Sequence, residues 1–212
     1  MKKLIIFGAN GGTGCFLVNL ALRHNYQVVA MVRRPGTITL THPHLKVVKS
    51  DILQPDTYFD ELAGAYAVIS AIGIKAVQQP VYVFSEGIKM LTTAMHRQQV
   101  RRLICISASG VEVSPKHNLF IRFFIKNVLQ RFLRHLYDDT LRMEDVLKKS
   151  NLDWTSVRPP RLTKGSYTGQ YRYAVNDFLD ACLSISRADL ADFIINHIDD
   201  AQTYQAIVEV AH

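Results

Sequence analysis

The chain has 212 residues, 48% apolar and 20% charged, which suits one globular domain with a sizeable core and excludes a disordered or fibrous chain. No apolar run is long enough to span a bilayer, and Leu4–Phe7 after Met1-Lys2-Lys3 lacks the length and cleavage site of a secretory signal, so a single cytoplasmic domain over 1–212 is expected. The net charge of +7 is local rather than general: Lys116, Arg122, Lys126, Arg131 and Arg134 fall in one stretch without an acid and leave +2 for the rest, so nucleic acid is not the expected partner.

The apolar run Lys3–Phe7 reads as a strand, and a glycine loop follows it at once. In that loop, Gly8-Ala9-Asn10-Gly11-Gly12-Thr13-Gly14, Gly8 permits a tight turn, Gly11 lets backbone approach a pyrophosphate, and Gly14 lets helix and strand pack closely. The helix that begins there, Thr13–His24, turns free N–H groups and a positive dipole end toward phosphates. Strand, loop and helix in this order make a dinucleotide cradle of Gly8, Asn10, Gly11, Gly12, Thr13 and Gly14, though the spacing is G-x-x-G-x-x-G.

The next strand, Gln27–Val32, ends at Arg33-Arg34. In such folds this end faces the adenosine ribose, where an acid would bind a 2′-hydroxyl and arginine a 2′-phosphate. No Asp or Glu occurs between Met1 and Lys49, so the cofactor is expected to be NADP(H). A third strand, Lys46–Lys49, leads to Asp51-Ile52, where a side chain can meet the adenine, and a short helix is expected over Thr57–Ala63.

Strand Ala67–Ala71 precedes a helix, Val81–Gln98, with Phe84, Ile88, Leu91 and Met95 on one face. Strand Arg102–Ile106 ends at Ser107-Ala108-Ser109. A long helix is expected over Asn118–Lys149, then strand Trp154–Val157, the turn Pro159-Pro160-Arg161, helix Arg187–His197 opened by a Ser186/Asp189 capping box, and strand Ala206–Val210. The alternation predicts an α/β, Rossmann-type, doubly wound and mostly parallel sheet with helices on both faces; the first six strands read as buried and parallel.

Cys15, Cys105 and Cys182 have no paired spacing, and the histidines are scattered, so neither disulfide nor metal is expected. Of the nine tyrosines none has a lysine four residues on, which removes the usual proton-transfer pair of short-chain dehydrogenases. Three strand ends converge where ligands bind such sheets: Ser70–Gly73, Ser107–Gly110 and Arg158–Arg161. Ser107 and Ser109 could bind the nicotinamide amide or a substrate carbonyl, and Arg161 could clamp a carboxylate or phosphate. The segment Lys116–His135 is too apolar for one buried stripe. It could cover the substrate mouth, lie on an anionic membrane surface or pack in a dimer, and its place after the fifth strand favours a mobile cover.

On Lys3–Gly14, Val48–Leu53, Phe84-Ser85-Glu86-Gly87, Asp138–Val146, Pro159-Pro160, Tyr167-Thr168-Gly169 and Ser186–Phe193, the chain resembles the atypical short-chain dehydrogenase/reductases. It is most similar to the biliverdin reductase B, or flavin reductase, family, with the NmrA-like proteins as neighbours. The resemblance implies an NADPH site using Gly8 to Gly14, Arg33, Asp51-Ile52, Ile72-Gly73 and Pro159-Pro160; Arg34, Ala71 and Ser107 are expected beside them as cofactor contacts. It also implies hydride transfer to a small conjugated acceptor: a flavin (FMN or FAD), a bilin or a quinone-like ring. The chain departs from the family at Ala108, where a serine is usual, and at Arg161, where a histidine is usual. The NmrA-like side of the resemblance implies an alternative, a non-catalytic regulatory or assembly factor that senses NADP(H).

Overall fold

The computed structural model describes residues 1–74, 79–116 and 118–212. Eight strands form the main sheet in the order β3-β2-β1-β4-β5-β6-β10-β8. They are β1 (Lys3–Phe7), β2 (Gln27–Val32), β3 (Leu45–Lys49), β4 (Ala67–Ser70), β5 (Arg102–Ile106), β6 (Asp153–Arg158), β8 (Arg172–Val175) and β10 (Ala206–Ala211). Seven are parallel, and only β8 runs antiparallel, against β10. A second, two-stranded parallel sheet pairs β7 (Arg161–Thr163) with β9 (Ser184–Ser186). Strand order reverses between β1 and β4, and that switch point is where a doubly wound sheet opens a crevice.

Alternation along the strands sorts side chains onto two covered faces. Leu4, Ile6, Val28 and Ala30 pack with α1 (Gly14–Arg23) and α6 (Arg187–Asn196). Ile5, Phe7, Val29 and Met31 pack with α2 (Val83–Arg97) and α5 (Arg134–Lys148). Both faces are apolar because both carry helices. Cys105 lies in the second core, as expected, and burial pushes its thiol up.

Three expectations need correction. The strand at 45–49 is parallel but is an edge strand, half-buried rather than buried, because only β2 flanks it. The expected helix over Thr57–Ala63 is instead two 3-10 turns, Pro55–Thr57 and Asp60–Leu62, which suffice to bury Tyr58 and Leu62. The single helix over Asn118–Lys149 breaks at Leu133. Before the break lie α3 (Leu119–Phe124), a π-helical turn (Ile125–Leu129) and the short α4 (Gln130–Phe132); after it comes α5. Among the described residues no helix is long and apolar enough to cross a membrane.

Two carboxylates fix the helices. Asp139 of α5 is fully buried and accepts from the N–H groups of Phe84 (2.9 Å) and Ser85 (3.3 Å) and from the Ser85 hydroxyl. It thereby caps α2, whose own cap residue Tyr82 gives no side-chain bond. Asp189 answers the predicted capping box: the Ser186 hydroxyl lies 2.7 Å from its carboxylate and 2.9 Å from its N–H. The carboxylate also accepts from the N–H groups of Thr168 and Gly169, so two separated motifs meet on it.

Asp139→Ala strands two buried N–H groups and should cost about 2–3 kcal/mol. For a chain of this size that is a fall in Tm of roughly 5–10 °C, measurable by thermal unfolding. A change within about 1 °C would show that α2 does not depend on this cap.

Candidate functional site

The glycine loop rests on contacts that no side chain could share. Gly8 has φ +71°, and a Cβ there would lie 2.5 Å from the Ala71 carbonyl oxygen at the end of β4. A Cβ on Gly14 would overlap the Gly8 carbonyl oxygen. The Gly11 N–H donates to that same carbonyl at 2.9 Å. Thr13 caps α1 with no side-chain bond, so no side chain closes the helix's first turn. A bare glycine surface beside an uncapped helix start fits a pyrophosphate, and here the sequence expectation and the geometry coincide.

A cavity of about 840 Å³ runs across this loop. One end is lined by Met31, Val32, Arg33, Asp51, Ile52 and Leu53, and the middle by Gly8, Asn10–Thr13 and Ala71–Ile74. Arg187 lines the middle as well, against Gly12, and the far end is lined by Val83, Phe84, Ile106, Ser107, Ala108, Leu136, Thr140 and Leu162. Of the residues expected at the site, Gly8, Asn10, Gly11, Gly12, Thr13, Arg33, Asp51, Ile52, Ala71, Ile72, Gly73 and Ser107 line it.

The others stand behind or outside that wall. Gly14 is a packing position. Arg34 is exposed, and its carbonyl accepts from the Thr37 hydroxyl, which Asn10 reaches at 2.8 Å. Pro159 is buried, and its carbonyl accepts the Ser109 N–H at 3.0 Å; the Pro159-Pro160 turn therefore shapes the β5 end without lining the cavity. Ser109 does not line the cavity either. Arg161 is exposed, and strand alternation sets it opposite Leu162, which does line the cavity. No described residue of 116–135 lines it either, so the expected cover is held away from the cavity.

At the Arg33 end the Asp51 carboxylate accepts the Leu53 N–H at 3.0 Å, a turn that aims Ile52 at α2. Gly87 makes room for it: a Cβ there would lie 2.8 Å from Ile52 Cγ2. At the far end Ser107 is held by a buried ion pair. Glu144 Oε1 accepts from Ser107 (2.8 Å), Ser156 (2.8 Å) and Arg158 Nε (2.9 Å), and Oε2 accepts from Arg158 Nη2 (2.5 Å). Glu112 also holds Arg158. Burial pulls the Glu144 carboxyl up, but Arg158 and the two hydroxyls outweigh it and hold the group below its ordinary range. Thr140 donates to the Leu136 carbonyl at 2.9 Å. Both far-end hydroxyls therefore give their protons to the protein and keep only acceptor lone pairs free.

Sequence reasoning missed Arg187. It is the first residue of α6, and its Nε lies 2.7 Å from where a Gly12 Cβ would be. Nη1 donates to the carbonyls of Thr163 (2.9 Å) and Leu162 (3.4 Å), while Nε and Nη2 bond nothing among the described residues. The Arg187 side chain thus lies against Gly12 of the glycine loop with donors to spare. The capping box at Ser186 marked the helix start, but β7 and β9, which carry Leu162 and Arg187 to the cavity, are too short to be read from periodicity.

A family profile described as NAD(P)H-binding matches residues 8–201. An uncharacterized chloroplastic protein of Arabidopsis thaliana is 27% identical over 99% of this chain and 76% of its own length. A candidate epimerase from Bacteroides thetaiotaomicron is similar over 100% of this chain and 97% of its own, at 26% identity and TM-score 0.80. A candidate NADH-flavin reductase from Streptococcus pneumoniae is similar over the whole of both chains, at 22% identity and TM-score 0.77.

Arg187→Ala should raise the dinucleotide Kd roughly tenfold or more, the worth of a charge-assisted phosphate contact. Fluorescence titration checks it, and an unaltered Kd would leave Arg187 a structural brace only. Glu144→Gln should destabilise by about 3 kcal/mol, since it leaves Arg158 buried and underpaired. Because the folded pKa of Glu144 is depressed, its contribution is full above about pH 4.3, the unfolded value, and is lost as pH falls through the lower folded value. Chemical denaturation at neutral and acid pH should therefore show wild type and Glu144→Gln converging on acidification; a constant gap would contradict it.

Proposed function

The chain belongs to the NAD(P)H-binding family, and from that premise we propose that it is an NADPH-dependent reductase of a small conjugated acceptor such as a flavin, bilin or quinone-like ring. The observation that carries this reading is the gradient along one cavity, from the Arg33 end across the glycine loop to walls of Val83, Phe84, Ile106, Ala108, Leu136 and Leu162. Asp51 is the one carboxylate among its described lining residues, and no lysine, histidine or tyrosine stands there.

The nicotinamide cofactor, when bound, supplies a hydride. The Gly8–Gly14 loop, the start of α1 and Arg187 would hold the pyrophosphate; Arg33 would face the 2′-phosphate. Ser107 and Thr140 present acceptor oxygens suited to the amide N–H₂ of a carboxamide, and so would orient the ring rather than protonate the substrate. The apolar walls stack on a planar acceptor and exclude water from the transfer. A ring of the flavin or quinone type takes its proton from solvent after it accepts the hydride, which matches a site whose hydroxyls are already committed. Arg161 carries no role in this scheme, given its position away from the cavity wall.

Arg33→Ala should raise the Kd for NADPH about tenfold and leave that for NADH nearly unchanged. Equal wild-type affinities for the two would remove the phosphate assignment. NADPH oxidation followed with FMN, FAD, biliverdin and a simple quinone tests the reaction itself. Tight NADPH binding with no oxidation by any acceptor would favour the NADP(H)-sensing factor instead.

A further inference from the structure

Between Pro115 and Leu136 the chain buries nothing among its described residues. Leu119, Phe120, Phe123 and Phe132 are 80%, 78%, 65% and 76% exposed, and Phe124 and Val128 are about half exposed. They supply six of the fourteen large apolar side chains that stand exposed among the described residues, so this is one patch rather than scattered surface. Cations are interleaved with it: Lys116, Arg122, Lys126, Arg131 and Arg134, with no acid before Asp138. Lys116 pairs with Asp177 and Arg134 with Asp138, while Arg122, Lys126 and Arg131 have no ion pair among the described residues.

We propose that α3, the π-helical turn and α4 form an interfacial helix that docks the protein on an anionic lipid surface. The segment is too short to span a bilayer, but it has the make-up of a helix lying in the headgroup plane: phenylalanines to enter the acyl boundary, and arginines and lysines to meet lipid phosphates. Charge selects this occupant over a second copy of the chain. A two-fold contact through this face would set the same cations against themselves, whereas an anionic leaflet neutralises them. The face is held firmly at its far end: Gln130 Nε2 donates to the carbonyls of Gly110 (3.1 Å) and Val111 (3.2 Å).

Flotation of the full chain with phosphatidylcholine vesicles, with and without phosphatidylglycerol, tests the proposal. The wild type should float with the anionic vesicles and bind the neutral ones on the order of a hundredfold more weakly, since three unpaired cations each contribute. The Phe120→Ser/Phe123→Ser/Phe124→Ser variant and the Arg122→Ala/Lys126→Ala/Arg131→Ala variant should each lose binding by a similar factor. Both change only exposed or partly exposed side chains, and unaltered NADPH affinity would verify their folding. A wild type that stays unbound, or that binds both vesicles equally, overturns the proposal. A wild-type dimer that the phenylalanine variant converts to monomer assigns the face to a second copy and overturns it as well.

Discussion

Because Gly14 has no side chain, the first turn of α1 rests directly on the Gly8 carbonyl, and the geometry of the carboxyl end of the sheet is referred to that contact. It fixes the height of α1 above β1 and the direction in which the helix start points. The Gly8 carbonyl is already engaged by the Gly11 N–H, so it cannot yield without unmaking the loop. Helix α6 packs beside α1 in the same core and carries Arg187 onto Gly12. Any residue larger than glycine at position 14 would lift α1 and with it the surface on which Arg187 lies. Overpacking a closed contact of this kind costs about 1–3 kcal/mol even where neighbours can shift, and here the neighbour is backbone.

The walls of the cavity are referred in turn to three buried carboxylates. An ionised carboxylate taken out of water is costly unless donors surround it, and each of these gathers donors from distant parts of the chain. Asp139 of α5 collects them from the start of α2 and so fixes Phe84, a cavity wall. Glu144, five residues further along α5, collects them from the ends of β5 and β6 and so fixes Ser107. Asp189 joins the 168–169 turn to the start of α6, next to Arg187. The site's apolar surfaces are thus positioned by polar contacts just behind them, and the hydroxyls facing the cavity are oriented by what they donate to.

Much of this was legible in the sequence, for physical reasons that differ by element. Strands β1, β2, β4 and β5 were readable because both faces are covered and their runs are largely apolar, whereas the edge strand β3 is only half-buried. The glycine loop was readable because its backbone tolerates no substitute. Elements of three or four residues, β7, β8 and β9, are shorter than any periodicity, so Leu162 and Arg187 could not be brought to the cavity on paper. Nothing in the sequence marks Asp139 and Glu144 as buried; only the donors that meet them in three dimensions make their burial sensible. Tyr58 and Leu62 have helical spacing, yet two 3-10 turns bury them equally well, because spacing constrains which side chains share a side and not how many hydrogen bonds join them.

The same reasoning turns the 119–132 region from an anomaly into a constraint. A chain that buries acids on α5 and exposes phenylalanines before it has inverted the usual pattern across the break at Leu133. Exposed apolar area is unfavourable by about 25 cal/mol per Å², so a patch of this kind persists only where something other than the protein's own core offsets it. Its anchor is the turn at Gly110 and Val111, and that turn follows directly on Ser107 and Ala108, which line the cavity. Pro159 holds the same turn from the β6 side through the Ser109 N–H. One short turn therefore carries the cavity wall on one flank and the aromatic, cationic helix on the other. Whatever surface receives that helix also fixes which way the cavity end of the sheet faces.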